Sequence, residues 1–308
     1  VMFIKQKSLK ERVEFKGRGL HTGTEITMSL LPSDVNTGIV FRRVDLDSKP
    51  EIKALATNVV STQRGTVISD GTASVSTIEH LMSLFFALEI DNVIIEIDGP
   101  EVPIMDGSSY PFYHKLNRDS IKEQDALANV LSIDSELVVE DGNSGSKIRV
   151  IPAPNFSVDV KVDFNSIVLG EQSASFDNTT DYFNDIAKAR TFVFLHDLEP
   201  LINNNLIKGG DLDNAIVIVE REVPKEYQEK LNALFGKRNN EKIQIGYLNV
   251  ENLNYPNECA RHKLLDLLGD LYLSGYRINA RIEAYKPGHK INVEIAKKII
   301  SWQTKKHN

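Results

Sequence analysis

"VSTIEHLMSLFFALEIDNVIIEIDG" (residues 75–99) reads as a helix, a tight turn and a strand, with an acid and a base at the helix mouth. Apolar residues dominate from Ile78 to Leu88, "EIDN" breaks the run, and "VIIEI" then alternates as a strand does. The pattern predicts a helix from about Thr77 to Leu88. Ser76 followed three residues later by Glu79 has the form of a capping box, whose two side chains satisfy free N–H groups at a helix end. Read locally, Glu79 and His80 either start the helix or do chemistry, and the rest of the chain must decide.

The second half repeats the unit. "NECARHKLLDLLGDLYLSGYRINARIEAY" (257–285) predicts a helix from about Glu258 to Leu273, a turn at "SGY" and a strand. Alternating stretches precede each helix: "SLKERVEFKG" (8–17), "TEITMSLLP" (24–32) and "TGIVFRRV" (37–44), then "VLSIDSELVVED" (130–141), "KIRVIPA" (147–153) and "FSVDVKVDF" (156–164). A weak internal duplication of an α+β sandwich is the economical reading, with a site between the halves. Polar "NRDSIKEQDALA" (117–128) has no apolar period and reads as a linker, dividing domain 1–122 from domain 123–308. "DYFNDIAKARTF" (181–192) reads as a helix, and "DLEPLINNNLIKGGDLDNAIVIVE" (197–220) as a helix, a Gly-Gly turn and a strand.

Composition narrows the class. The 308 residues suffice for two ordinary domains, and no apolar run approaches the roughly 20 residues of a membrane span. The N-terminal stretch shows no apolar block with a cleavage site, so no secretory leader is expected. The lone Cys259 rules out an intramolecular disulfide and a multi-thiolate metal site, which fits a reducing cytoplasm and a plain core role for that thiol. A net charge of −7 argues against nucleic-acid binding, although a small anion can still bind at a local basic cluster.

The chemistry concentrates in "RHKLLDLLGD" (261–270), where His262, Asp266 and Asp270 recur every four residues and so share one helix face, drifting about 40° per step. Such a His–Asp pair alone could be a solvated hydrogen bond. Leucines 264, 265, 267, 268 and 271 fill the other faces, however, so the helix lacks the polar side a solvated edge would show. Catalytic zinc wants three protein ligands and an open position. His262 and Asp266 offer two from adjacent turns, and His80, in the equivalent helix, is the best third. His114, His196 and His307 read as ordinary surface or packing residues. His21, on the Gly-rich turn "GLHTG", is a candidate substrate contact, and His289, after a strand and the Pro-Gly turn of "YKPGHK", is a loop residue and a candidate acid or base.

Six stretches in order carry a family resemblance: "GRGLHTG" (17–23), "STIEHLMSLFFALEIDN" (76–92), "GPEVPIMDGSSYPF" (99–112), "KARTFVF" (188–194), "RHKLLDLLGDLY" (261–272) and "AYKPGH" (284–289). The chain resembles the zinc-dependent UDP-3-O-acyl-N-acetylglucosamine deacetylases of lipid A biosynthesis over nearly its whole length. That resemblance implies two similar domains, each a two-layer α/β sandwich, with one zinc ion in the cleft between them. It implies His80, His262 and Asp266 as zinc ligands, Glu79 as general base and His289 as general acid, with Asp270 holding the charged form of that histidine. Thr191 would bind the oxyanion, Phe192 and Phe194 would line the substrate site, and Lys263 would meet the diphosphate or the reacting centre. An insert at about 193–222 would form the acyl-chain passage; Val193 stands there where members of the family often carry Gly.

The implied protein is a cytoplasmic monomer acting on an acylated UDP-sugar, with no nucleic-acid partner and no membrane span. Arg190, Arg261, Lys263, Lys286 and Lys290 fall in or beside the motifs and are expected to make the local field positive. Some members of the family continue into a fused dehydratase domain, and the sequence in hand ends in "SWQTKKHN" (301–308). Two rival readings remain at this level: a zinc amidohydrolase for another N-acetylated sugar nucleotide, and a non-enzymatic binding module with a structural metal. The second would need a fourth protein ligand, and no obvious one stands in the sequence.

Overall fold

The structure is a computed structural model that describes residues 3–204, 206, 213–235 and 242–307. The first half runs through β1 (Lys5–Leu9), β2 (Val13–Arg18), β3 (Glu25–Pro32), β4 (Ile39–Arg43) and β5 (Glu51–Lys53) into a ribbon of β6 (Val59–Ser61), β7 (Val67–Ser69) and β8 (Ser74–Val75). Helix α1 (Glu79–Leu88), β9 (Val93–Ile97), α2 (Tyr110–Tyr113) and β10 (Ile121–Leu127) complete it. The second half begins with β11 (Val130–Ser132), β12 (Leu137–Asp141), β13 (Ser146–Ile151), β14 (Ser157–Asp163), β15 (Glu171–Phe176) and α3 (Tyr182–Asp185). Next come β16 (Phe192–Phe194), α4 (Leu195–Asn203), β17 (Ile216–Val219), α5 (Lys225–Phe235) and β18 (Gly246–Tyr247). Helix α6 (Glu258–Tyr272), β19 (Arg277–Asn279), β20 (Arg281–Tyr285) and α7 (His289–Lys306) follow.

The duplication read from the sequence is present in the strand order. One sheet runs β2-β3-β9-β4-β5 and the other β12-β13-β20-β14-β15. In each, a strand C-terminal to the long helix, β9 after α1 and β20 after α6 and the short β19, enters the centre, antiparallel to one neighbour and parallel to the other. Alternation sets the inward faces: Val158, Val160 and Val162 of β14 are buried, as are Val93, Ile95 and Ile97 of β9. These side chains join the leucines of α1 and α6 in one continuous core, where each fully buried aliphatic contributes about 1.5–3 kcal/mol.

Helices α1 and α6 pack on each other and are buried nearly all round. Gly269 makes that crossing possible. A Cβ there would lie 2.2 Å from the Glu79 carbonyl oxygen and 3.0 Å from the Ser83 nitrogen, both backbone atoms. The two backbones therefore touch at the first turn of α1, which puts the acid and base of one helix beside the ionisable face of the other. Arg277 ties the far end of α1 to the second half, its guanidinium reaching Glu89, Asp91 and the Glu89 carbonyl.

Several local expectations give way to tertiary contacts. The capping box is not made: the Ser76 hydroxyl donates to the Pro100 carbonyl at 3.2 Å, and α1 begins at Glu79 with no side-chain cap. "DYFNDIAKARTF" forms only the single turn α3, because its later carbonyls serve distant partners; Ala187 O accepts from the Ser109 N–H and Ala189 O meets His262. The expected linker 117–128 contains β10, which pairs antiparallel with β1; both faces of this ribbon are partly wet, so no apolar period marks it. His289 opens the 18-residue helix α7 rather than sitting in a loop. Buried Ile291, Ile295 and Ile299 give α7 its inner face at i, i+4 and i+8, a helical period that the sequence itself carries.

The insert forms a small body of its own, with sheet β16-β17-β18 flanked by α4 and α5 around Leu195, Ile202, Val217, Val219 and Leu231. Residues 205 and 207–212 of the expected acyl passage, including the Gly-Gly turn, lie outside the described residues. Cys259 is core as expected, and burial pushes its thiol up to about 12. Among the described residues no helix is long and apolar enough to cross a membrane.

Gly269→Ala is the substitution that the crossing forbids. It is expected to cost about 2 kcal/mol or more, because two backbones must separate to admit the methyl group, with denaturant melts as the readout; a neutral effect would mean that the helices part freely.

Candidate active site

The crossing of α1 and α6 assembles a cluster of three imidazoles and three carboxylates. His80 lies one residue inside α1, His262 and Asp266 lie one turn apart on α6, and their rings and carboxylate face each other. One ligand atom from each of the three falls within 4.8 Å of the others, and all three residues are buried. Asp266 Oδ1 stands 3.4 Å from Nε2 of both His80 and His262, yet it is buried without a hydrogen-bond partner among the described residues. The rings are 4.9 Å apart at 76°.

An orphaned carboxylate oxygen between two imidazole nitrogens is the geometry of a cation site, since a buried polar atom left unpaired is costly. The donor set of two imidazoles and one carboxylate suits a metal ion. His262 Nδ1 lies 2.9 Å from the Ala189 carbonyl, which fixes the tautomer and leaves Nε2 as the ligand atom. Burial depresses the His262 imidazole to about 4, so it is neutral at pH 7, as a ligand must be. Burial also opposes a charge on His80, but the Asp266 carboxylate outweighs it and raises that imidazole above its ordinary value. Burial alone would raise the Asp266 carboxyl; the imidazoles around it overcome that and hold it below the usual carboxylate range. The pocket therefore calls for positive charge, which either a proton or a metal ion can meet.

Glu79 and His289 stand beside this set. Glu79, the first residue of α1, accepts at Oε2 from the Thr66 backbone N–H at 3.1 Å. His289 Nε2 is 3.5 Å from Glu79 Oε1 and 3.8 Å from Asp266 Oδ2. The other nitrogen of His289, Nδ1, meets Asp270 Oδ2 at 2.8 Å. Burial raises the Glu79 carboxyl, against the pull of His289 and His80. Burial works against charge on His289, but Asp270 and then Glu79 prevail and push it up to about 10, so it is cationic at neutral pH.

Two residues that the sequence did not single out complete the cluster. The Thr66 hydroxyl donates to Asp270 Oδ1 at 2.6 Å, and Asn292 Nδ2 donates to Asp270 Oδ2 at 3.0 Å. Asn292 sits one turn after His289 and would have been found had α7 been recognised. Thr66, in the turn before β7, carries no local pattern that marks it.

The remaining candidates spread around the cluster. The Phe192 and His262 rings meet edge to face with centroids 6.3 Å apart, and the Lys263 ammonium lies 5.7 Å from the Phe192 centroid. Phe194 stacks on His196 at 5.5 Å. Thr191 links two loops through its backbone, donating to Gly107 O and accepting from the Ile216 N–H, both at 2.8 Å. His21 Nε2 lies 3.0 Å from the Arg64 carbonyl, while the His21 and Thr22 amides donate to buried Glu101. The expected group of free cations is smaller than the sequence suggested. Arg190 makes a two-pronged pair with buried Glu258 at 2.8 and 3.1 Å, and Arg261 lies over Tyr255 while donating to Asn257 and the Asp185 carbonyl.

The chain is similar to known proteins along nearly its whole length. The chain matches the sequence model of the family described as UDP-3-O-acyl N-acetylglycosamine deacetylase over residues 6–233 and 241–301. It is 44% identical over 296 residues to the bifunctional enzyme LpxC/FabZ of Bacteroides thetaiotaomicron, covering 96% of this chain and 64% of that one. This chain thus spans just under two thirds of that relative's length. It is 37% identical over 305 residues to the UDP-3-O-acyl-N-acetylglucosamine deacetylase of Idiomarina loihiensis, covering 98% of this chain and 91% of the relative. With the enzyme of that name from Pseudomonas entomophila the identity is 38% over 301 residues, covering 97% and 91%.

If the three buried residues hold a metal ion, His262→Ala removes a ligand and leaves the Asp266 charge without its neighbour. Metal content by elemental analysis is expected to fall well below one ion per chain, whereas His114→Ala, an exposed site, leaves it unchanged.

Proposed function

The chain belongs to the UDP-3-O-acyl N-acetylglycosamine deacetylase family, and from that premise we propose that it hydrolyses the N-acetyl group of a UDP-3-O-acyl-N-acetylglucosamine, releasing acetate and a free amine, in lipid A biosynthesis. The observation that carries the reading is the convergence of His80, His262 and Asp266 beside an acid and a base whose nearest atoms are 3.5 Å apart. We take the ion to be zinc, which those three residues would hold. Zinc in such a site supplies Lewis acidity and makes water a usable nucleophile near neutral pH.

The chain's own groups then divide the work. Glu79 takes a proton from the attacking water at Oε1, the oxygen not engaged by Thr66; its raised basicity suits that task. The water oxygen forms a bond to the acetyl carbon, and the Thr191 hydroxyl donates to the oxyanion that develops. His289, cationic at neutral pH, gives its Nε2 proton to the nitrogen as the C–N bond breaks. Asp270 keeps the ring oriented and stabilises its charge through Nδ1. Phe192 and Phe194 line the sugar-nucleotide path, with His21 as a further contact, and Lys263 faces the diphosphate.

The insert at about 193–222 serves as the acyl-chain passage in this reading, supported by its separate apolar core. The two duplicated halves act as the two domains that flank the cleft, with the boundary after β10 rather than at residue 122, because β10 pairs with β1. The same reading makes the protein a cytoplasmic monomer, in keeping with its single buried thiol.

Activity is read as acetate release from the acylated sugar nucleotide, and a chelator is expected to abolish it. A substrate lacking the 3-O-acyl chain is expected to react far more slowly; equal rates would point to a different N-acetylated sugar nucleotide. Glu79→Gln should keep its metal and lose about 10²–10⁴-fold in kcat. The rate should fall on the acid side as Glu79 becomes protonated, and on the alkaline side as pH rises through the elevated value of His289 and its proton is lost. His289→Ala is expected to remove the alkaline limb and Asp270→Asn to move it to lower pH. An alkaline limb that survives His289→Ala would take that residue out of the acid's role.

A further inference from the structure

We propose that Thr66 is a positioning residue that holds the base and the acid at their working distance, the Gly65–Thr66 turn acting as a bridge between them. The proposal rests on the reading of Glu79 as base and His289 as acid. Thr66 is fully buried and bonded at both ends: its backbone N–H donates to Glu79 Oε2 at 3.1 Å, and its hydroxyl donates to Asp270 Oδ1 at 2.6 Å. A hydroxyl has one proton, and the ionised carboxylate is the better acceptor, so the 3.3 Å contact between the Thr66 oxygen and His289 Nδ1 is secondary.

The consequences for the reacting atoms follow from which oxygens are occupied. With Oε2 engaged, Glu79 is left with Oε1 as the oxygen that faces His289 Nε2. With Oδ1 of Asp270 held by Thr66, and Asn292 donating to Oδ2, the carboxylate plane is set and Oδ2 is aimed at His289 Nδ1. That interaction keeps the Nδ1 proton in place and turns Nε2 toward Glu79. One residue thus orients both partners, and their 3.5 Å separation reflects the span of Thr66 from amide to hydroxyl.

Gly65 belongs to the same device. Its φ of +154° lies where side chains are strained, and a Cβ would sit 2.9 Å from Glu79 Oε1, the oxygen that must stay clear. His21 supports the turn from behind through the Arg64 carbonyl.

Thr66→Val removes the hydroxyl while keeping the shape and the amide, and Thr66→Ser keeps the hydroxyl. In the zinc-loaded chain, Thr66→Val is expected to lower kcat about 10- to 100-fold, with KM and metal content unchanged, and Thr66→Ser to recover to within about threefold. Undiminished kcat in Thr66→Val, equal losses in both variants, or a loss confined to KM would each overturn the proposal. Nitrogen-15 spectra of histidine-labelled protein read the same coupling without turnover. The His289 Nδ1–H signal is expected to shift or broaden in Thr66→Val and to stay in place in Thr66→Ser; an unmoved signal in Thr66→Val would also overturn it. If the unsubstituted chain fails to release acetate while that signal still responds to Thr66→Val, the proposed reaction is lost and the positioning role stands. Should Thr66→Val not fold, Thr66→Cys, with its weak donor, is judged by the same spectra.

Discussion

The close crossing of α1 over α6 is the constraint on which the rest of the molecule depends. Gly269 lets the α6 backbone press on the carbonyl of Glu79, so the two helices approach as no pair with a side chain at that position could. Duplication supplies the helices, each from a sheet of the same strand order, and the crossing turns two equivalent elements into one site. The leucines that bury α1 and α6 from all sides make the arrangement rigid, since close-packed interiors deform little. A site made of side chains from two such helices inherits that rigidity.

Rigidity matters because the cluster is electrostatically unfavourable without a cation. Three carboxylates and three imidazoles share a largely buried space, and Asp266 Oδ1 has no hydrogen-bond partner among the described residues. Buried charge of this kind is weak support for stability and is better understood as held in place by the surrounding fold. Distinct environments then separate groups of like chemistry. His262 is driven neutral by burial while His289, facing Asp270 and Glu79, is driven cationic, so one imidazole can ligate and the other can donate a proton.

Much of this was legible in the chain. The spacing of His262, Asp266 and Asp270 among leucines announces a buried polar face, and the resemblance of six ordered motifs points to the partners on α1. Local rules misled where a distant group took over. Ser76 and Glu79 have capping-box spacing, but Pro100 and Thr66 claim their side chains. Arg190 counts as a free cation until Glu258, far along the chain, is found against it. The ribbon of β1 and β10 has no apolar rhythm because neither face is fully buried.

The sequence by itself determined the elements: helix, turn and strand twice over, and the ligand-type residues that recur at helical spacing. These follow from periodicity, which is a property of neighbours in the chain. Only the tertiary structure decided which atoms meet. The orphaned oxygen of Asp266, the choice of Glu79 Oε1 as the open oxygen, and the link from Thr66 to Asp270 across more than half the chain are set by how closely two backbones pack. That distance is governed by the absence of a side chain at Gly269, and no pattern along the chain reveals what a missing methyl group would have struck.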